Sequence, residues 1–255
     1  MPTTIHHGNC LDVLPTLPKA SIDCIFVDPP YNTTNTINKA MVYDRNDDFA
    51  RKRWKTFHAE WDTIHRYIPW ATQWLTESAR VLTDTGTIFV CGSFHNIPDV
   101  ALAMRRVGFY TIQWVQWCIP NSFPNLSMTK QVNANQTIIW ARKGKSHYYD
   151  KEAAKRYNDG KNLRDYWIIN NDTTADRGKP WKAHPSKKPV GLVARALDIA
   201  LPKHACHVLD FFAGGGSTGV AAQHIANTYG IDVHCTLVEQ CAEYVGWLNQ
   251  RFSLT

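Results

Sequence analysis

Apolar residues fall along this chain in two alternating rhythms. Short apolar runs recur at 22–27, 87–90, 111–117, 137–141, 207–212 and 235–238, bounded by turn-forming residues. Runs this short read as strands, and the 111–117 and 137–141 runs read as a neighbouring pair. Between the runs, apolar side chains stand three or four residues apart. Ile64, Ile68, Ala71, Leu75, Ala79 and Leu82 do so within 61–82, and the same spacing recurs over 97–107 and 189–201. That period predicts helices with one buried face, the last with Pro189 in its first turn. Strand and helix alternate, so the chain is expected to be α/β, a doubly wound and mostly parallel sheet with an antiparallel edge strand. Its 255 residues suffice for one well-buried domain spanning 1–255.

Two stretches break the rhythm. Residues 33–60 are polar and charged with few apolar anchors, and read as a long mobile loop. Residues 142–183 mix bases with aromatics: Arg142, Lys143, Lys145, Lys151, Lys155, Arg156, Lys161 and Arg164, later Arg177, Lys179 and Lys182, among Tyr148, Tyr149, Tyr157, Tyr166, Trp167 and Trp181. Charge for a phosphate backbone and rings for bases are what nucleic-acid contact requires, although a solvated insertion has the same composition.

Candidate chemistry begins where the run 22–27 ends, at Asp28-Pro29-Pro30-Tyr31. Proline fixes φ and has no N–H, so this turn is stiff and offers acceptors only. A carboxylate, a carbonyl and an aromatic face suit a planar base bearing an exocyclic amino group. A second motif lies near the other end. The run 207–212 leads into Ala213-Gly214-Gly215-Gly216-Ser217-Thr218 and then a helical pattern, the strand–glycine turn–helix opening of a nucleotide-binding unit. Glu239 follows the turn by about 23 residues, near the spacing expected of an acid that holds ribose hydroxyls. Residues 214–219 can be read as Gly-x-Gly-x-x-Gly, but no second phosphate-binding feature accompanies them. An adenosine ligand without a pyrophosphate therefore fits better than NAD, and S-adenosyl-L-methionine is such a ligand.

Asp28-Pro29-Pro30-Tyr31 followed far downstream by Phe212-Ala213-Gly214-Gly215-Gly216 resembles the beta-class DNA amino-methyltransferases, in which the catalytic motif precedes the cofactor motif. Further segments carry the likeness: Gly8-Asn9-Cys10-Leu11, Arg80-Val81-Leu82-Thr83-Asp84-Thr85-Gly86, and His184-Pro185-Ser186-Lys187-Lys188-Pro189. Asn9 stands where the family usually has aspartate, Phe211 replaces a common proline, Gly215 a frequent serine, and Gln136 a common glutamate. The resemblance implies a Rossmann-like methyltransferase fold with residues 142–183 as a small target-recognition insertion. It implies Asp28, Pro29, Pro30 and Tyr31 as the catalytic corner, receiving a flipped base. For the cofactor it implies Asn9, Cys10, Asp28, Asp210, Phe212, Ala213, Gly214, Gly216, Ser217, Thr218, Glu239 and Gln240, with Lys188 neutralising the cofactor carboxylate. Asn32, Arg142, Lys143, Lys145, Lys155 and Arg156 are the expected nucleic-acid contacts. Double-stranded DNA is the implied substrate, a second copy of the chain and a cognate restriction endonuclease the further partners. Aspartate at the first motif position points to adenine N6, with cytosine N4 as the alternative. A small-molecule or protein methyltransferase would share the glycine turn but leave the basic, aromatic insertion unexplained. A non-catalytic nucleic-acid-binding module would follow if the departures had ended cofactor binding.

Composition adds little. Lys+Arg of 28 against Asp+Glu of 22 leaves a net charge of +6, mildly favouring a polyanionic partner. Ten tryptophans are expected to be mostly core. Seven cysteines show no Cys-x-x-Cys pair and the eleven histidines no clustered ligand partners, so the expectation is a reduced, intracellular protein without a metal, and the family resemblance implies a cytoplasmic, prokaryotic or phage-encoded one. No stretch is apolar enough to cross a membrane.

Overall fold

Ile22–Val27 (β2) is buried at every position but Asp23, because a central parallel strand is covered on both faces. The computed structural model describes residues 2–32, 64–122, 124–125, 128–172 and 176–252. The loop expected at 33–60 lies outside these. Around β2 the chain forms β1 (Thr3–His7), α1 (Cys10–Val13), α2 (Tyr67–Val81), β3 (Leu82–Gly92), α3 (Ile97–Val107), β4 (Tyr110–Cys118), β5 (Asn135–Arg142), α4 (Lys151–Arg156), β6 (Tyr166–Ile168), α5 (Val190–Ala200), β7 (Cys206–Asp210), α6 (Ser217–Tyr229), β8 (Val233–Glu239) and α7 (Ala242–Phe252).

The strands make one sheet in the order β1-β8-β7-β2-β3-β5-β4-β6. This is the doubly wound, mostly parallel sheet that the alternating rhythm predicts. One placement differs: the antiparallel strand, β5, lies inside the sheet between β3 and β4, and the edge strand β6 pairs with β4 in parallel. β6 and α4 both belong to the segment 142–183, so part of that stretch completes the sheet. Trp167 and Ala154 are buried there against the common core. The helix expected over 61–82 begins later among the described residues, because Arg66 takes a left-handed φ of 58° and α2 starts after it. Leu82 ends that pattern as the first residue of β3, opposite Ile22.

Helices cover both faces. On one, Leu192, Val193 and Leu197 of α5 pack with Phe26, Phe89 and Trp140. Phe89 stacks on Trp140 at 5.3 Å and 8° and on Phe26 at 6.2 Å and 28°. Truncating so enclosed a ring costs about 3–5 kcal/mol. On the other face, Trp74 and Leu75 of α2 and Val100 and Met104 of α3 cover Ile25, Val27, Ile88 and Val90. α3 stops where Gly108, at φ 97°, turns its amide back to Met104 and Arg105.

The topology places the site. From β7 the chain crosses outward to β8, whereas from β2 it crosses the other way to β3. β7 and β2 are themselves paired, with Leu209 beside Ile25. Their carboxyl ends therefore flank the point where the winding reverses, which is where open α/β sheets leave a crevice.

Candidate active site

Asp28 follows β2 directly, and both its oxygens are engaged. Tyr31 donates its hydroxyl to Oδ1 at 2.7 Å, and Lys188 donates its ammonium to Oδ2. Gln136 stands 2.9 Å from the same tyrosine hydroxyl. One hydroxyl carries one proton; with the amide turned so that its NH2 donates to the tyrosine oxygen, both contacts are satisfied. Burial and the neighbouring Asp28 hold the Tyr31 phenol well above its usual range, so it is neutral. Lys188 is only 6% exposed and also reaches the Ser186 carbonyl at 3.2 Å, while its ammonium lies 5.2 Å from the Tyr31 ring centroid. On the far side of the turn, Tyr67 donates to the Pro30 carbonyl at 2.8 Å.

The glycine turn lies across the crevice. Gly214 takes φ 47° and Gly216 φ 79°, conformations that other residues adopt at a cost. Crowding adds to this: a Cβ on Gly214 would come within 2.7 Å of His184 Nε2, and one on Gly216 within 2.7 Å of Leu248. Glu239, at the end of β8, accepts the Gly214 amide at 2.9 Å and the Cys241 amide at 2.8 Å. Asp210 accepts from Thr218 at 2.6 Å and from the Phe212 amide at 3.0 Å. Burial raises its pKa to about 7 against those two bonds, with Asp28 and Glu239 adding in the same sense. His184 is held near 4 by burial and by Lys188 and Lys187, so it is neutral where it meets the edge of Tyr244 at 4.7 Å.

Both motifs open on one cavity of about 180 Å³. Asp28, Pro29, Pro30 and Tyr31 line one part, Phe212, Gly214, Glu239 and Gln240 another, and Cys10 a third. A small chamber beside it is lined by Asp210, Ala213, Ser217, Thr218 and Lys188. The carboxylates of Asp28 and Glu239 on a cavity with apolar walls favour a cationic ligand having an apolar body, and a sulfonium nucleoside has that character.

Several expected residues do other work. Asn9 is exposed and caps α1, its Oδ1 accepting the Leu11 amide at 2.9 Å; its neighbours Gly8 and Cys10 line the cavity instead. Gly216 caps α6 rather than lining either space. Lys188 does not extend toward a free carboxylate site, because its ammonium is committed to Asp28. Asn32, at φ 57°, accepts the Ile64 amide at 2.9 Å and so ties together the chain before 33 and after 63. Arg142, Lys143 and Lys145 are not brought to the cavity. β5 runs antiparallel, so Arg142 pairs with Thr87 near the amino end of β3, and Tyr148 bonds Thr85 beside it. Lys155 and Arg156 lie at that end too. Arg156 bonds Asp198 at 3.0 Å, late in α5, and Lys155 bonds Glu152 at 2.8 Å. The basic residues at the cavity end are others: exposed Arg177 and Lys179 before the His184 segment, and Lys130 over the exposed Phe94 ring at 5.9 Å.

The sequence alone does not single out Gln136 as a site residue, although it departs from the family pattern, nor His184 and Ser186, although they sit in a family motif. Tyr67, Asn96 and Tyr244 carry no signal in the sequence. Each is an isolated polar or aromatic residue in an amphipathic or turn context, brought to the site only by packing.

Comparison with known proteins accords with this geometry. The DNA methylase family N6_N4_Mtase matches residues 22–243. The type II methyltransferase M2.LlaDCHI of Lactococcus lactis subsp. cremoris is 31% identical over 239 residues, covering 89% of this chain and 82% of that protein. M2.DpnII of Streptococcus pneumoniae is 30% identical over 239 residues, covering 89% and 83%. Among solved structures, PvuII DNA methyltransferase, described as cytosine-N4-specific, shares the fold with a TM-score of 0.72 at 18% identity, over 99% of this chain and 86% of that one. M1.HpyAVI in complex with SAM does so with a TM-score of 0.67 at 19% identity, over 98% of each. The chain belongs to the family of S-adenosylmethionine-dependent DNA amino-methyltransferases.

Proposed function

We propose that this protein methylates the N6 amine of adenine at a specific sequence in double-stranded DNA, with the target base turned out of the helix. The observation that carries this reading is the shared cavity, with the proline corner on one side and the glycine turn on the other. Cys10, Phe212, Gly214, Glu239 and Gln240 would hold S-adenosylmethionine, which when bound supplies a methyl group on a positively charged sulfur. Ser217, Thr218 and Asp210, beside the small chamber, would brace the turn under it.

An exocyclic amine is a poor nucleophile because its lone pair is delocalised into the ring. Its two N–H groups would donate to Asp28 and to the Pro29 carbonyl, since the Pro30 carbonyl already accepts from Tyr67. These bonds localise the lone pair on nitrogen and stabilise the positive charge that grows as the N–C bond forms and the S–C bond breaks. An ionised acceptor strengthens the effect, and a preorganised one needs no rearrangement. The amine proton then leaves to solvent, and no covalent enzyme intermediate is required. Tyr31 would stack on the base while remaining a neutral phenol. A duplex base cannot reach such a cavity without leaving its stack. Arg177, Lys179 and Lys130 supply positive charge at the same end of the sheet, where phosphates would lie. A restriction endonuclease of the same specificity fits the type II relatives.

Aspartate in the first motif position favours adenine; cytosine N4 is the second reading, the specificity named for the PvuII enzyme of the same fold. Digesting methylated DNA and separating its deoxynucleosides decides between them: N6-methyldeoxyadenosine is expected, and N4-methyldeoxycytidine alone would replace the first reading with the second. Asp28→Ala should reduce transfer by at least a thousandfold with cofactor affinity largely kept. Turnover within tenfold of wild type would remove Asp28 from the assigned role.

A further inference from the structure

The proline corner is stiff, but it lacks the means to anchor itself. Pro29 and Pro30 have no N–H to bond, and proline fixes φ while leaving ψ free. The direction of each carbonyl is therefore set from outside. Three bonds in series do this for Pro30. Asn96, only 1% exposed, accepts the Ser93 amide on Oδ1 at 2.9 Å. Its Nδ2 must then face the other way, and it donates to the Tyr67 hydroxyl at 3.1 Å. With its oxygen receiving that bond, Tyr67 points its own proton at the Pro30 carbonyl, 2.8 Å away. The Asn96 amide is held by a backbone donor, so the relay has one direction only.

Closing the turn before α3 would by itself explain the Ser93 bond. It would not explain why the other end of a buried amide orders a tyrosine proton toward the corner. We propose that Tyr67 and Asn96 are positioning residues, forming a directed relay that holds the Pro30 carbonyl away from the cavity so that Pro29 and Asp28 present paired acceptors to the target amine. This rests on the function proposed above. Neither residue touches substrate; α2 and the turn before α3 act through the corner.

The test compares Tyr67→Phe, Asn96→Asp and the double variant in the full-length protein. Phenylalanine removes the proton aimed at Pro30. Aspartate keeps the Ser93 acceptor and the side-chain shape but cannot donate, so the Tyr67 proton turns toward it and away from Pro30. Single-turnover methyl transfer to duplex DNA should fall about ten- to a hundredfold in each, the scale expected when reacting groups are misplaced. Affinity for S-adenosylmethionine, measured by titration calorimetry, should stay within about threefold. The double variant should be no slower than the slower single, as for members of one relay. Wild-type transfer with either single variant unimpaired, or losses that multiply in the double, would overturn the relay alone. Should Asn96→Asp not fold, Tyr67→Phe decides by the same split between rate and affinity. If the wild type transfers no methyl group to DNA, the functional reading fails, and the relay with it.

Discussion

At the scale of single residues, the site is governed by carboxylates kept in different company. Asp28 meets an ammonium and a phenol, Glu239 two backbone amides, and Asp210 only a hydroxyl and one amide in a buried setting. Lys188 is the cation that ties the catalytic corner to the His184 segment. Lys188→Met should slow methyl transfer tenfold or more while changing cofactor affinity less than threefold. The reverse pattern, weak binding with an intact rate, would return this lysine to the cofactor's carboxylate. Asp210 makes stability depend on pH. Its value of about 7 in the fold lies above the ordinary 3.8, so the native state favours the protonated acid. The stability this contributes is intact below about pH 4 and is lost as pH rises to about 7. Asp210→Asn removes the titration. Thermal melts of wild type and variant should diverge in the variant's favour between those limits, and parallel curves would show that Asp210 is ionised throughout.

At the scale of elements, strand direction decides which charges reach the substrate. The basic character of 142–183 is plain in the sequence, but the antiparallel course of β5 is not, and it carries Arg142, Lys143 and Lys145 to the wrong end. Replacing Lys143, Lys145 and Lys155 with glutamine should leave DNA affinity and its salt dependence nearly unchanged. Replacing Arg177 and Lys179 should weaken binding and reduce the salt slope by about one for each phosphate no longer neutralised. A larger effect from the first group would mean that DNA wraps to the amino end of the sheet. The central strands, by contrast, were legible because apolar runs such as 22–27 have no other use in a globular domain. The motifs were legible because proline and glycine restrict the backbone locally. Tyr67 and Asn96 were not, since their meaning lies in partners on other elements distant in sequence, and nothing in a tyrosine at a helix start announces one.

At the scale of the molecule, the two halves of the site come from opposite ends of the chain and meet because β1 pairs with β8 and β2 with β7. The amide of Cys235 in β8 even bonds the Pro2 carbonyl. Near the carboxyl terminus, Leu248 and Phe252 of α7 press on Gly216 and Gly219, so the last helix buttresses the turn that faces the cofactor pocket. The bond between Asn32 and Ile64 has a consequence of its own. It holds the two ends of the framework on either side of residues 33–63 at a fixed separation, independently of the polypeptide that joins them. Residues 33–63 should therefore be replaceable by a short glycine-serine bridge with the melting temperature lowered by no more than a few degrees and the cofactor still bound. A collapse of either would show that this stretch bears weight. Otherwise the corner keeps its shape through the described framework alone, and the sequence joining its two ends can be exchanged without rebuilding it.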